Sequence, residues 1–268
     1  MKSFIVLENK KLSKVIFSYC EDLSYSSFRK ALRNKDIKIN GVRVNSDVLL
    51  SVGDKVEIYY TEKVLESYTP IYADENVLVV NKKSGFSAER VFEDVQKKFS
   101  TAGFIHRLDT FTSGIMVFSL NEEAERELLL GFKNRTFIKE YQAEVIGKLQ
   151  KKQRVLESYL VKDKDNSVVK IFDNEVKGSV YIKTGYKVIE EREETSLLSV
   201  TLYTGKTHQI RAHLAHIGHP IVGDGKYGDN KLNRKLKASS QRLSSVRLVL
   251  KFKKADKLYY LNDREFKI

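Results

Sequence analysis

Hydrophobic residues in the first sixty positions follow two spacings, one helical and one strand-like. Over residues 11–21 they recur every three or four positions, and Ser24 then stands where a second helix needs its N-cap. Residues 37–39 and 42–44 alternate as strands do, and Asn40-Gly41 between them suits a two-residue hairpin turn. The pattern predicts a compact domain of two helices and a small sheet over residues 1–62.

The pattern changes beyond residue 60. Residues 61–70 are polar, lack periodicity and end in Pro70, so we interpret 63–70 as a linker. Strand-like apolar runs follow, at 77–82, 115–118, 137–145 and several times between 155 and 204, whereas one clear helix spans 121–133. Many strands and few helices predict an α+β domain over residues 71–268, built on a mixed, largely antiparallel sheet.

The charge of the chain narrows the class of partner. Its 268 residues include 48 Lys and Arg against 35 Asp and Glu, a net charge of +13. The segment 226–268 is especially basic. Each basic side chain that meets a phosphate releases condensed counterions, so this excess predicts a polyanionic partner. The sequence shows no basic amphipathic anchor or lipidation signal, which favours nucleic acid over a membrane surface.

Cysteine content and the N-terminus bear on the compartment. The single cysteine, Cys20, excludes an internal disulfide framework and a thiolate metal cluster, and its apolar neighbours predict a buried side chain. The N-terminal apolar run is too short for a signal peptide, and no stretch is long enough to span a membrane. We therefore expect a cytoplasmic protein.

Two polar clusters carry the candidate chemistry. The first is His106-Arg107-Leu108-Asp109 with Thr112-Ser113-Gly114, just before the apolar run 115–118. It predicts that Asp109 lies on a loop leading into a buried strand, a common setting for catalytic groups, although a surface Arg–Asp pair is an equally simple interpretation. The second is the segment 205–213, Gly-Lys-Thr-His-Gln-Ile-Arg-Ala-His, in which Thr207 is placed to cap a helix.

Other interpretations of the glycines and histidines are less favoured. A phosphate-binding P-loop needs glycine five residues before Gly205, where the chain has Val200. The glycines of segment 223–228 have the spacing of a dinucleotide-binding loop, but polar residues follow them and no βαβ unit surrounds them. The lack of a cofactor-binding loop also weakens a methyltransferase hypothesis. The histidines between 208 and 219 lack a cysteine or acidic ligand to complete a metal site, so we interpret them as structural or RNA-facing.

Taken together, the two clusters resemble the signatures of the RluA family of pseudouridine synthases. The resemblance extends to residues 218–224, to Lys139-Glu140-Tyr141, which matches the family's active-site tyrosine strand, and to an entry motif at 74–85. These motifs span residues 71–228 in the family's order. The chain departs from the pattern at Lys82-Lys83-Ser84-Gly85, where the family usually has Lys-Pro, and at Lys206, where arginine is usual.

The resemblance implies an isomerase that breaks the C1′–N1 bond of a uridine and rejoins the base through C5, without a metal, nucleotide or redox cofactor. It makes Asp109 the essential carboxylate, Arg211 its partner, and Tyr141 a ring that stacks on uracil and can assist removal of the C5 proton. Asp109 can add to the base, attack C1′ or take a proton from the sugar; the sequence leaves these routes open. The residues expected to contact RNA in this domain are His106, Arg107, Lys206 and His208.

Residues 9–60 resemble the S4 RNA-binding module, a small α/β domain whose second helix here carries Arg29, Lys30 and Arg33. This resemblance implies a domain that holds structured RNA. Family members with an S4 module commonly act on large-subunit (23S) ribosomal RNA, and transfer RNA is the alternative target. A non-catalytic RNA-binding or ribosome-assembly protein is the alternative function. We expect a monomer.

Overall fold

The computed structural model describes residues 1–20, 23, 25–60, 66–163 and 168–268, without the side chain of residue 26. The chain forms two compact units, Met1–Glu66 and Ser67–Ile268. No helix in these described ranges is both long and apolar enough to cross a membrane.

The first unit contains two helices and a four-stranded antiparallel sheet. Its elements are β1 (Lys2–Ile5), α1 (Leu12–Tyr19), α2 (Tyr25–Arg33), β2 (Ile37–Ile39), β3 (Val42–Val44) and β4 (Lys55–Ile58). The strands lie in the order β1-β4-β2-β3. Its core includes Leu12 and Ile16 from α1, Phe28 from α2 and Ile37 from β2. The helical spacing in the sequence thus corresponds to the faces that α1 and α2 bury against this sheet.

Several sequence predictions for this unit are confirmed. Asn40 and Gly41 have φ angles of 50° and 82°, as a two-residue hairpin turn requires. Cys20 is buried. The predicted cap at Ser24 lies outside the described residues. Strand β1 was not predicted, because its short run becomes recognisable as a strand only through its pairing with β4.

The second unit is built on one large sheet. Its strands are β5 (Tyr68–Ala73), β6 (Val77–Lys82), β7 (Gly103–Phe104), β8 (Ser113–Ser119), β9 (Ile138–Ile146), β10 (Gln153–Asp163), β11 (Val168–Phe172), β12 (Val180–Glu191), β13 (Thr195–Leu202), β14 (Leu243–Val249) and β15 (Glu265–Lys267). They lie in the order β11-β10-β12-β13-β9-β14-β8-β6-β5, with β15 on β14 and β7 on β8. Among these pairings only β14 with β8 is parallel. The predicted α+β fold with a largely antiparallel sheet is confirmed.

The linker prediction was wrong at its C-terminal end. Residues 68–70 belong to β5, which pairs with β6, although they were assigned to a linker over 63–70. Pro70 suggested a break, but β5 is the edge strand of the sheet, and an edge strand tolerates proline.

The helices of the second unit are α3 (Ala88–Gln96), α4 (Glu122–Asn134), α5 (Gln209–His216) and α6 (Asn230–Lys235), followed by a 3-10 helix at Lys257–Leu261. Asn121 is the N-cap of helix α4, as predicted: its side chain accepts the Ala124 N–H at 3.0 Å. Helix α3 was not predicted. Ala88, Val91 and Val95 on α3 and Ile210 and Leu214 on α5 join the main core of the sheet.

Candidate active site

Asp109 lies on a tight turn between β7 and β8. The Thr112 N–H donates to the Asp109 carbonyl at 3.0 Å, which closes the turn. The segment after β6 holds the next residues of the turn: the Gly85 N–H donates to the Thr110 carbonyl at 2.9 Å, and the Ser84 hydroxyl donates to the Phe111 carbonyl at 2.9 Å. The backbone around Asp109 is therefore fixed from one side by residues 84–85.

Lys82 fixes the same turn from inside the protein and was not identified from the sequence. Its side chain is fully buried, and its Nζ donates to the carbonyls of Lys83, Phe86 and Thr110 at 3.1, 2.6 and 3.0 Å. Burial lowers the Lys82 pKa to about 8, although the nearby Asp109 carboxylate opposes this change. The unusual Lys82-Lys83-Ser84-Gly85 segment thus supplies three groups that hold the Asp109 turn.

Strand β8 leads away from this turn and makes a close contact with β14. Gly114 has a φ of 115°, and a Cβ at this position would lie 2.3 Å from the Ser245 carbonyl oxygen. Only glycine permits this approach. Ser245 is paired with Gly114 on one side and with Tyr141 of β9 on the other. Strand β14 therefore lies between the strand that leaves the Asp109 turn and the strand that carries Tyr141.

Helix α5 presents Arg211, but it does not begin as predicted. Thr207 was expected to be the N-cap, whereas the cap position is His208, in the left-handed conformation with φ 55° and ψ 15° and with no side-chain cap hydrogen bond. The Gln209 side chain instead holds the loop that precedes the helix, since its Oε1 accepts the Lys206 N–H at 3.1 Å. Because Gln209 is itself buried and bonded to the hydroxyls of Thr204 and Thr184, the start of α5 is anchored in the core.

Arg211 joins two carboxylates. Its Nη1 donates to Oδ2 of Asp109 at 2.7 Å, while its Nε and Nη2 donate to the two oxygens of Asp224 at 2.7 and 3.0 Å. Burial would lower the Arg211 pKa, but the hydrogen bonds to Asp224 and Asp109 raise it above its usual value. The predicted Asp109–Arg211 partnership is present in this geometry, with a guanidinium that stays charged.

Asp224 was not predicted as a site residue: its segment was included in the family resemblance, but the glycines of 223–228 were interpreted as a loop and no role was assigned to the carboxylate. Its side chain is fully buried, and its Oδ1 also accepts the N–H groups of Lys226 and Tyr227 at 2.8 and 3.1 Å. Burial would raise the Asp224 pKa, but the bonds from Arg211 and these two N–H groups hold it below its usual value. The signal was available, since Asp224 ends a segment that matched the family signature.

His208 and Tyr227 border the same carboxylate. His208 Nε2 lies 3.8 Å from Asp109 Oδ2, and its Nδ1 lies 2.9 Å from the Tyr227 hydroxyl. That hydroxyl accepts the Val169 N–H at 2.8 Å, so it can give its own proton to Nδ1 and leave the His208 proton on Nε2. Burial lowers the His208 pKa, as do the charges of Arg211 and Lys226, against the opposing effect of Asp109. With this tautomer His208 is uncharged at neutral pH, and its Nε2–H lies on the side of Asp109 at a distance too long for a hydrogen bond.

Tyr141 projects from β9 towards the same region and is 7% exposed. Burial raises the Tyr141 pKa to about 12; a hydrogen bond with Ser245 opposes the rise, and the Asp109 charge adds to it. The resting site therefore holds a neutral phenol, which offers an aromatic ring and an O–H group and is not ionised to a phenolate.

Several of these side chains line one cavity of about 540 Å³. Asp109, Tyr141 and Arg211, the three predicted catalytic residues, all line it, as do the predicted RNA contacts His106, Arg107, Lys206 and His208. Arg107 is exposed and lies 3.3 Å from Glu89, not beside Asp109. The cavity thus brings together the residues that the two sequence clusters contributed separately.

His106 differs from the other predicted RNA contacts. Its ring stacks on Phe132 with centroids 4.3 Å apart, and its Nε2 accepts the Val117 N–H at 3.1 Å. Burial lowers the His106 pKa to about 3, and the Lys139 charge contributes to this shift. His106 is therefore a neutral side chain that packs against the core, and it can offer RNA no positive charge.

The remaining histidines have separate partners. His213 lies between the hydroxyls of Thr184 and Ser158, His216 lies 2.8 Å from Asp173, and His219 contacts the Ile146 carbonyl. Within the part of the chain that the structure describes, no group of three or more potential ligands is arranged to hold a metal ion.

The site combines a partly exposed carboxylate, a fixed guanidinium and a neutral phenol in a cavity with a basic lining. Such a cavity can bind a base that has left its stack, hold an aromatic ring against it, and present a carboxylate as nucleophile or proton acceptor. The exposed Arg29, Lys30 and Arg33 belong to the first unit and are not part of this cavity.

Comparison with known proteins identifies the family. Residues 76–216 match the family described as RNA pseudouridylate synthase. This match covers more than half of the chain. It includes the Asp109 turn, Tyr141 and Arg211, whereas Asp224 and β14 lie beyond it.

Curated relatives share most of the chain. Ribosomal large subunit pseudouridine synthase C of Vibrio parahaemolyticus is 28% identical over 253 residues, which cover 85% of this chain and 79% of that protein. Ribosomal large subunit pseudouridine synthase D of Blochmanniella floridana is 30% identical over 264 residues, covering 88% and 80%. Dual-specificity RNA pseudouridine synthase RluA of Yersinia pestis is 35% identical over 173 residues, covering 59% and 80%.

A solved structure agrees with these relatives. Human RNA Pseudouridylate Synthase Domain Containing 1 matches with a TM-score of 0.62 and 25% identity, over 70% of this chain and 80% of that one. The family match, the relatives and this shared fold agree with one another. The chain therefore belongs to the RNA pseudouridylate synthase family and is an isomerase that converts uridine to pseudouridine in RNA.

Proposed function

We propose that this enzyme modifies specific uridines of large-subunit ribosomal RNA, with Asp109 as the essential carboxylate, Arg211 as its positioning partner and Tyr141 as the residue that holds the base. The observation that carries the proposal is the 2.7 Å contact between Arg211 Nη1 and Asp109 Oδ2 in a cavity that Tyr141 also lines. The choice of target RNA is supported by the relatives in Vibrio parahaemolyticus and Blochmanniella floridana, which are named ribosomal large subunit pseudouridine synthases.

The surroundings of Asp109 support its role. Its side chain is 21% exposed, so a substrate can reach it, while Arg211 is only 8% exposed and cannot move freely. Arg211 stabilises the ionised carboxylate and leaves one of its oxygens for the substrate. The same placement serves attack on the base, attack on C1′ and removal of a sugar proton.

Tyr141 is assigned two tasks. Its ring can stack on uracil, and its O–H group can donate a hydrogen bond in the site or take part in the proton transfer at C5. Because the Tyr141 pKa is raised to about 12, the phenol begins the reaction protonated and needs a second group to receive its proton before it can accept one.

The decisive experiment maps pseudouridine in ribosomal and transfer RNA from cells with and without the gene, and repeats the reaction with purified protein. We expect one or a few ribosomal uridines to depend on the wild-type protein and Asp109→Asn to abolish their conversion. Asp173→Asn, which changes an exposed aspartate that contacts His216, is the matched control and should remain active.

Three outcomes would change the proposal. Conversion only in transfer RNA would correct the target and retain the activity. An active Asp109→Asn protein would refute the assignment of the carboxylate. A wild-type protein that converts no uridine in any of these RNAs would favour the alternative of a non-catalytic RNA-binding protein.

For the first unit we propose an S4-like RNA-binding role. Arg29, Lys30 and Arg33 are exposed on α2, whose buried Phe28 and Leu32 lie on the opposite side. Substitution of all three cations by Gln should weaken RNA binding and reduce its salt dependence, because each phosphate contact contributes about 0.7 to 0.9 to the slope of log K against log salt. An unchanged slope would refute this role.

We also propose that the enzyme acts as a cytoplasmic monomer. One chain supplies Asp109, Tyr141 and Arg211 to the same cavity, which supports a site that is complete without a partner. Light scattering at assay concentrations should give the mass of one chain; a dimer mass that persists on dilution would contradict the proposal.

A further inference from the structure

The cavity has a second group of charged residues, away from the Asp109–Arg211–Asp224 chain. We name it the Lys139 cluster; it consists of Lys133, Arg135 and Lys139. Lys133 lies in the last turn of α4, Arg135 follows that helix and Lys139 lies near the start of β9. All three line the same cavity as Asp109.

Lys139 is the unusual member of the cluster, because it is half-buried without an acidic partner. Its Nζ lies 5.3 Å from the centroid of the Phe132 ring, and a Cβ built on Gly205 would lie 3.9 Å from it. Among the described residues, no carboxylate lies within ion-pair distance of the three cations. Burial lowers the Lys139 pKa, and the charge of Arg135 lowers it further.

Burying Lys139 costs free energy that the protein's own contacts only partly offset. A charge withdrawn from water is unfavourable unless it is paired, and here like charges adjoin it. Arg211, by contrast, is balanced by two carboxylates, Asp109 in the same cavity and Asp224 buried behind it. The cation–π contact with Phe132 compensates only part of the lost hydration.

The end of α4 explains two of the cations and not the third. A helix C-terminus attracts positive charge, which suits Lys133 and Arg135. Arg135 also occupies the left-handed position that glycine usually takes after a helix, with φ 58° and ψ 34°. Lys139 lies on a strand, beyond that helix, and gains nothing comparable. Its position is best explained by an anion that arrives with the substrate.

We propose that the Lys139 cluster is a subsite for a backbone phosphodiester of the RNA strand, beside the nucleotide whose base reaches Asp109. This inference rests on the proposed function and adds the part of the substrate that the cluster recognises. Lys139 and Tyr141 lie two residues apart on β9, so their side chains leave the same face of the sheet with Cα atoms about 7 Å apart. A nucleotide held at Tyr141 therefore brings its own sugar–phosphate backbone to Lys139.

The test compares the full-length Lys139→Met protein with wild type and with Lys148→Met. Lys148 is an exposed lysine in the turn that follows β9, roughly 25 Å along the strand from Lys139. Its substitution by Met therefore removes the same charge at a distant position. The probe is an in vitro transcript of the large-subunit ribosomal RNA, bound at a series of potassium chloride concentrations.

For Lys139→Met we expect a salt slope smaller by about 0.7 and an affinity loss of about ten-fold at low salt. We also expect a KM raised by a similar factor, with kcat within about three-fold of wild type. Lys139→Arg, which keeps the charge, should restore the slope, and Lys148→Met should match wild type. Thermal unfolding of each variant separates loss of fold from loss of binding, and Arg135→Gln provides a second variant should Lys139→Met unfold.

A slope and a KM for Lys139→Met equal to those of Lys148→Met would overturn the inference. So would a loss that Lys139→Arg does not restore, because that result indicates packing against Phe132 and not charge. If the wild-type protein converts no uridine, the proposed function fails, yet the salt slope still decides whether the Lys139 cluster binds phosphate.

Discussion

Asp224 holds Arg211 by two hydrogen bonds, from Nε and Nη2, at 2.7 and 3.0 Å. This bidentate contact uses one edge of the guanidinium and leaves Nη1 directed at Asp109. Because Asp224 is fully buried and also bonded to two backbone N–H groups, it is the fixed end of the chain Asp224–Arg211–Asp109. Asp224 is therefore a positioning residue that acts on the reaction through Arg211.

Asp224→Asn should lower kcat by about ten- to a hundred-fold with a smaller effect on KM. The substitution removes the charge that orients Arg211, and charge-assisted hydrogen bonds of this kind contribute about 1.5–3 kcal/mol. The variant should also lose stability, since Arg211 is left buried with one carboxylate. Steady-state kinetics on the mapped RNA, with Asp173→Asn as control, would measure the effect. Wild-type kcat in a folded Asp224→Asn protein would contradict the positioning role.

Tyr141→Phe should keep substrate affinity and lose at least a hundred-fold in kcat. The substitution retains the ring that stacks on the base and removes the O–H group that takes part in proton transfer, an effect that is typically about 10² to 10⁴ in rate. Ser245→Ala, which removes only the hydrogen-bond partner of Tyr141, should lose much less. Single-turnover assays would separate the two effects. Full activity in Tyr141→Phe would restrict Tyr141 to stacking.

Lys82→Met should weaken the Asp109 turn more than it weakens RNA binding. Three backbone carbonyls would lose their buried donor, and each unsatisfied buried group costs about 1–3 kcal/mol. We expect a lower unfolding temperature, a kcat reduced by ten-fold or more, and a Kd for RNA close to that of wild type. Lys83→Met is the neighbouring control, because Lys83 is exposed. Equal kcat values for the two variants would show that Lys82 has no part in positioning the turn.

Some parts of this site could be predicted from the sequence and others could not, for identifiable reasons. Asp109, Tyr141 and Arg211 each lie in a short continuous motif, so their identity did not depend on knowing the fold. Lys82 and Asp224 act through contacts with residues distant in sequence, Thr110 and Arg211, which local spacing cannot reveal. Asp224 ends a segment that resembles the family signature, but its bond to Arg211, like the bonds of Lys82 to the turn, became evident only from the structure.

The basic segment 226–268 shows that the contacts of charged residues, too, cannot be predicted from local sequence. Local composition marked it as a strongly positive region, yet several of its cations contact acidic residues elsewhere in the second unit: Lys235 contacts Glu194, Arg242 contacts Glu144 and Lys257 contacts Glu123. Strand β14, from this segment, lies between β9 and β8 in the centre of the sheet. Charge counted along the chain therefore overstated how much of this segment is free to bind RNA.

His213 makes the folded protein sensitive to acid. Its side chain is fully buried between Thr184 and Ser158, whose hydroxyls lie 3.0 and 3.2 Å from its ring nitrogens. Burial lowers the His213 pKa from 6.5 to about 4; electrostatic interactions with His216 and Arg154 add to the shift, and Asp173 opposes it. Between these two values the unfolded chain binds a proton that the folded protein does not, so stability is fully present above pH 6.5 and falls as the pH decreases towards 4.

His213→Gln should flatten this part of the stability curve. We expect the variant to be less stable than wild type at pH 7, because the new side chain fits the two hydroxyls less well. The difference in unfolding free energy between wild type and variant should shrink by up to about 3 kcal/mol between pH 7 and pH 4. Wild type loses this stability because His213 takes up a proton on unfolding, and the variant has no such group. Urea unfolding at several pH values would measure it. His216→Gln, a less buried change on the same helix, is the control, and a wild-type pH slope in His213→Gln would exclude His213 as the titrating group.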